Sequence, residues 1–157
     1  MTEQGRDRAT HPLTPSLSGR GEKADPSASR GRGERTIAPG LRAEKEWTLR
    51  PEMLYSPSGL EQDAVLSSPS MIMMMESTAA EAIRSQLAPG TATVGFHVDV
   101  KHIAPAPPGA QIVTSAELVE SDGRKLTFAV EARHGDRLIG TGRHRRAIIH
   151  VQRSGEP

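Results

Sequence analysis

Cysteine is absent from the 157-residue chain. That excludes disulfides, thiolate nucleophiles and cysteine-bound metal sites together. It also fits a reducing cytoplasm, the expected location. Aromatic residues are scarce, with one Trp, one Tyr and two Phe, so a core must be built from aliphatic and methionine side chains. A charge excess of either sign is missing too. The net charge is +1, which gives bulk electrostatics no case for nucleic acid or a membrane surface as a partner. No apolar run approaches the ~18 residues of a membrane span. The N-terminal segment holds no apolar stretch of the kind a secretory signal carries.

What is present is unevenly spread. Residues 1–38 are rich in Gly, Ser, Pro and Arg with almost no apolar periodicity. Such a segment buries too little surface to offset its ordering entropy and is expected to be a disordered extension. A single domain is expected over 39–152, with a flexible tail at 153–157.

Within that domain, Leu41–Leu49 reads as a strand anchored by Trp47, and Tyr55–Asp63 as a loop. Ser68-Pro69 opens a helix, with Ser68 as its cap and Pro69 suited to the first turn. Ala88-Pro89-Gly90 closes it, so the helix is expected over 69–87. In Ala92–His102, Ala92, Val94, Phe96, Val98, Val100 and His102 alternate onto one face. Asp122-Gly123 predicts a two-residue hairpin turn. In the strand that follows, Leu126, Phe128, Val130 and Ala132 share a face. His134-Gly135-Asp136 turns into a last strand over 137–152. The order predicts an α+β domain, one long helix against a five-stranded antiparallel sheet. So few aromatics leave apolar surface to cover, which predicts a homodimer.

Glu76 is the residue out of place. Helical spacing puts Ile72, Glu76, Ala79, Ile83 and Leu87 on one stripe, apolar except for the carboxylate. Buried carboxylates usually have a partner or a task. His102, in phase with the apolar face of its strand, is the candidate partner. Glu and His together suit acyl or proton-transfer chemistry, with the carboxylate as base or as nucleophile. A structural Glu–His pair is the bland alternative. Ser68 lies near the helix start, ~12 Å along the axis from Glu76. The two meet at one substrate only if the preceding segment curls back or a partner subunit supplies one of them. Gly95, inside a Val/Phe run, marks a bulge or a close backbone approach, and Gly95 and Phe96 are read as substrate-binding positions. Arg143 and Arg145 alternate onto one side, where they are candidates to meet phosphates, although most such basic runs are solvated strand faces. His97 and Asp99 share a face, but two ligands without a third make no metal site. Neither a metal nor another cofactor is expected.

The ordered set of segments resembles a known family. Val65-Leu66-Ser67-Ser68-Pro69, Glu76, Thr93-Val94-Gly95-Phe96, Lys101-His102 and Pro107-Pro108-Gly109 carry the first part of the resemblance. Ala116-Glu117-Leu118-Val119-Glu120, Gly123-Arg124, Ile139-Gly140, Gly142-Arg143-His144 and Arg146-Ala147 carry the rest. Together they are similar to the hot-dog-fold thioesterases of the fluoroacetyl-CoA thioesterase type, over about 39–151. The resemblance implies a hot-dog fold, a dimer, and hydrolysis of an acyl-CoA thioester. It implies a catalytic set of Ser68 (threonine in the family enzyme), Glu76 and His102, with Gly95 lining the thioester site. The segment Ser58–Asp63 lacks the aromatic residues of the family's lid, so fluoroacetyl specificity is not implied. A non-catalytic acyl-CoA or small-ligand binder and a hydratase on the same fold are the alternatives.

Overall fold

The computed structural model describes residues 36–152. The disorder expected of the N-terminal extension therefore lies, up to residue 35, outside the described residues, as does the expected tail from 153. Ile37, inside the expected extension, is already buried in the core.

Seven strands and one α-helix follow in order. They are β1 (Arg42–Thr48), β2 (Leu54–Tyr55), β3 (Val65–Leu66), α1 (Ser68–Ile83), β4 (Thr91–His102), β5 (Gln111–Ser121), β6 (Lys125–His134) and β7 (Arg137–His150). The main sheet is five-stranded and antiparallel, in the order β1-β5-β6-β7-β4. β2 and β3 pair as a small separate ladder across the segment expected to be only loop. No helix among the described residues is long and apolar enough to cross a membrane.

α1 packs on one face of the sheet. Met71, Met74, Met75, Thr78, Ala79, Ala82 and Ile83 are its buried residues. They meet Ile112, Ala116 and Leu118 of β5, Leu126, Phe128, Val130 and Ala132 of β6, and Ile139 of β7. The β6 residues share one face, as their alternation predicts. Methionines do here what aromatics do elsewhere: each is a large flexible side chain that fills gaps, and its burial contributes ~1.5–3 kcal/mol. Polar atoms between α1 and β5 are paired. Trp47 Nε1–H donates to Thr114 Oγ1 at 2.8 Å, and Thr114 Oγ1 lies 2.6 Å from Thr78 Oγ1.

Three local readings change. α1 ends at Ile83, and a 3-10 turn over Arg84–Gln86 takes up the rest of the expected helix. The connection at Asp122-Gly123 holds three residues rather than two, because Asp122 Oδ1 accepts from the backbone N–H of both Arg124 and Lys125. Those bonds hold the Asp122 carboxyl below its usual range. In β4 the register shifts between Gly95 and His97, leaving Phe96 as the extra residue. A bulge of one residue exchanges the two faces of a strand. Val98, Val100 and His102 pair with His144, Gly142 and Gly140 on the helix side. Ala92 and Val94 pair with Ile149 and Ala147 on the outer side. The single apolar face expected over Ala92–His102 is therefore split in two.

Candidate functional site

The helix cap is Ser67, one residue earlier than expected. Its Oγ accepts from the Ser70 N–H, and Pro69 still falls in the first turn, where its missing N–H costs nothing. The shift releases the neighbouring hydroxyl. Ser68 Oγ lies 2.8 Å from His102 Nδ1. The other ring nitrogen, Nε2, is buried and has no partner among the described residues. An unpaired buried polar atom costs about 1–3 kcal/mol, so Nε2 marks a place that a ligand or a reacting group would satisfy. A cleft of about 440 Å³ runs past this pair, lined by Leu54, Tyr55, Val65, Ser68, Pro69 and His102. A second, of about 650 Å³, shares Leu54 and is lined by Ser56, Leu60 and Gln62 of the preceding segment and by Pro108.

Glu76 sits at the margin of the buried face of α1 rather than on its centre line. The centre is Met71, Met75, Thr78 and Ala82, whereas Ile72, Glu76 and Ala80 are half-buried. Its side chain is 37% exposed. The sequence pairs it with His102, but the histidine it meets is His144, whose Nε2 lies 3.5 Å from Glu76 Oε1. Within the chain the two groups of candidate residues are apart. Ser68 precedes Glu76 by ~12 Å of helix. His102 and Gly95, which flank them, are separated by about 20 Å of β4.

Gly95 lies against the carboxylate. A Cβ at this position would stand 2.5 Å from Glu76 Oε1 and 2.8 Å from His144 Cε1. Close approach therefore explains the glycine, and the bulge expected there follows directly after it. Phe96, Arg143 and Arg145 lie on the other side of the sheet. Arg143 pairs with Asp99 and Arg145 with His97, and the Arg145 guanidinium stacks 5.2 Å from the Phe96 ring centre. His97 and Asp99 share this outer face.

Two residues escaped the sequence reading, which treats Arg143–Arg146 as one basic run. His144 is 1% exposed and Arg146 is 9% exposed. Alternation carried the signal: the phase that turns Arg143 and Arg145 outward turns His144 and Arg146 toward α1. Arg146 donates from Nε to Thr93 Oγ1 and from Nη2 to Thr93 O, both at 3.0 Å. Burial lowers the pKa of both groups. For Arg146 the Glu76 charge opposes the effect. For His144 a bond to the His97 carbonyl and the Glu76 charge oppose it, while Arg146 and His97 add to it.

β4 is an edge of the sheet. Its Val94, Phe96 and Val98 are 41–47% exposed, and Met73 of α1 is 44% exposed. Among the described residues no group of three or more His, Asp or Glu side chains is placed to hold a metal ion.

Comparison with known proteins agrees with this architecture. Residues 50–152 match the family model of the fluoroacetyl-CoA-specific thioesterases. The chain is 36% identical to the fluoroacetyl-CoA thioesterase of Streptantibioticus cattleyicolor over 98 residues, which cover 62% of this chain and 70% of that one. A solved structure of a fluoroacetyl-CoA thioesterase superposes with a TM-score of 0.67 at 31% identity, covering 73% of this chain and 90% of the other. A Thermus thermophilus protein described as a thioesterase superfamily member gives 0.67 at 28% identity, over 74% and 86%. The helix, the five-stranded sheet and these likenesses together make the fold a hot-dog fold, and the chain belongs to the family of fluoroacetyl-CoA-specific thioesterases, acyl-CoA thioester hydrolases.

Proposed function

We propose that this protein hydrolyses a small acyl-CoA thioester in a site shared by two copies of the chain. Ser68 and His102 of one protomer face Glu76 of the partner subunit. The observation that carries the reading is a division of labour. One end of α1 holds a hydroxyl–imidazole pair with a free ring nitrogen, and a half-exposed carboxylate lies two turns away beside an unpaired sheet edge. An apolar edge strand invites pairing with a second copy, and a homodimer joined along β4 would cover Val94, Phe96 and Val98.

In this reading Glu76 acts as base or nucleophile. As base it takes a proton from water while the water oxygen bonds to the thioester carbonyl carbon. The C–S bond then breaks and the CoA thiolate leaves. A thiol pKa of ~8.5 makes that thiolate a fair leaving group without strong acid assistance. Glu76 then gives that proton, through His102, to the departing sulfur, so both groups return to their starting states, and Ser68 fixes the imidazole and the carbonyl. As nucleophile the carboxylate attacks the carbonyl carbon itself, the C–S bond breaks with loss of the CoA thiolate, and water then opens the resulting anhydride to the acid and the free carboxylate. Arg143 and Arg145, outward beside the same edge, are the candidates for the CoA phosphates.

Short-chain acyl-CoAs supplied to the purified chain are expected to release CoA thiol, and Glu76→Ala to abolish the release. A wild type no faster than Glu76→Ala would remove the enzymatic reading and leave a binder. Mixing the two impaired variants Ser68→Ala and Glu76→Ala tests the shared site. Random exchange would restore roughly a quarter of the activity, since half the dimers are mixed and each has one intact site. No recovery after demonstrated exchange would place the whole site within one protomer. Single turnover in ¹⁸O-water separates base from nucleophile, because only the anhydride route labels the Glu76 carboxylate.

A further inference from the structure

We infer that His144 is a positioning residue for Glu76, holding Oε1 in the notch left by Gly95 so that the other carboxylate oxygen meets the reacting groups. The inference rests on the proposed role of Glu76. It starts from the ring's hydrogen bonds. His144 Nδ1 lies 3.0 Å from the His97 carbonyl oxygen. A carbonyl only accepts, so Nδ1 carries a proton. Arg146 Nη1 lies 3.2 Å from Nε2. A guanidinium only donates, so in the neutral ring Nε2 offers its lone pair to Arg146. Arg146 is itself fixed by its two bonds to Thr93. The imidazole is thus clamped from both sides and has one orientation.

The charged and titratable groups facing this ring are Glu76 from α1, Arg146 from β7 and His97 from β4. The ring fills the space between the Arg146 guanidinium and the Glu76 carboxylate. It leaves the carboxylate in the field of a cation it does not touch, with no direct ion pair to quench it. The side chain, 37% exposed, is thereby confined at Oε1 between the ring and the backbone of Gly95. Gly95 completes the socket, since any side chain there would occupy the position of Oε1.

The test combines kinetics with a readout that needs no turnover. His144→Phe keeps the ring's volume and loses both nitrogens. It is expected to lower kcat by about 10- to 100-fold, a share of the 10²–10⁴ that positioned acid–base catalysis supplies. KM should stay within about threefold, because the contact concerns the reacting group and not substrate binding. His144→Gln, which restores a polar group near the carboxylate, should recover part of the loss. Ring nitrogen chemical shifts in the wild type should report the Nδ1–H tautomer. Glu76→Gln should move the ring's titration to lower pH, because the carboxylate charge favours the imidazolium. A folded His144→Phe protein with unchanged kcat would overturn the inference, as would a ring titration indifferent to Glu76→Gln. A wild type without hydrolysis would instead overturn the proposed function.

Discussion

Glu76 Oε1 stands 2.5 Å from the point where a Cβ on residue 95 would be. A helix carboxylate and a strand glycine from different layers of the fold therefore exclude any side chain at one position. Gly95→Ala is expected to push the carboxylate out of its socket and crowd His144 Cε1. Overpacking of this kind costs about 1–3 kcal/mol, and kcat should fall by at least about 10-fold with the displaced base. Thermal unfolding together with steady-state kinetics checks both, and an active, undestabilised Gly95→Ala protein would contradict the contact.

Ser67 and Ser68 are adjacent and chemically identical, yet their hydroxyls have different partners. Ser67→Ala removes the helix cap and should cost ~1 kcal/mol of stability with little effect on kcat. Ser68→Ala removes the His102 contact and should lower kcat with little change in stability. Denaturant titration and kinetics on both variants would show this crossover, and parallel effects in the two proteins would refute the assignment.

Thr114 tests the polar link between β1, β5 and α1. Thr114→Val keeps the shape but leaves the Trp47 indole N–H without its acceptor and takes one partner from Thr78. The expected loss is about 1–3 kcal/mol, with kcat little changed because Thr78 lies on the buried face of α1 and the Glu76 carboxylate at its margin. Urea unfolding measures it, and a neutral or stabilising result would show that water replaces the hydroxyl.

The buried His144 ring makes stability depend on pH. Its folded pKa lies below the ordinary value of 6.5, chiefly through burial, so the unfolded chain binds a proton that the folded chain does not. That contribution is fully present above pH 6.5 and is lost as pH falls toward the folded pKa. His144→Phe should flatten the stability profile in this window. Unfolding free energies of both proteins from pH 7.5 to pH 5 decide it, and equal slopes would show that other groups dominate.

The local pattern of the chain determined the element order, the core face of β6, the helix opened near Pro69, and a carboxylate needing an explanation at position 76. Each rests on periodicity, capping or turn chemistry, which act over a few residues. The resemblance added the fold and the reaction class. The faces of β4 were not legible, because one inserted residue at Phe96 inverts the alternation. It directly follows Gly95, whose close approach to Glu76 and His144 involves residues remote in sequence. The partner of Glu76 was not legible either. His102 and His144 both lie in phase with the helix side of their strands, and only the antiparallel pairing of β4 with β7 sets His144 beside Glu76 and His102 beside Ser68. Local pattern names the residues that can do chemistry, whereas which of them meet is a long-range packing outcome decided by tertiary structure alone.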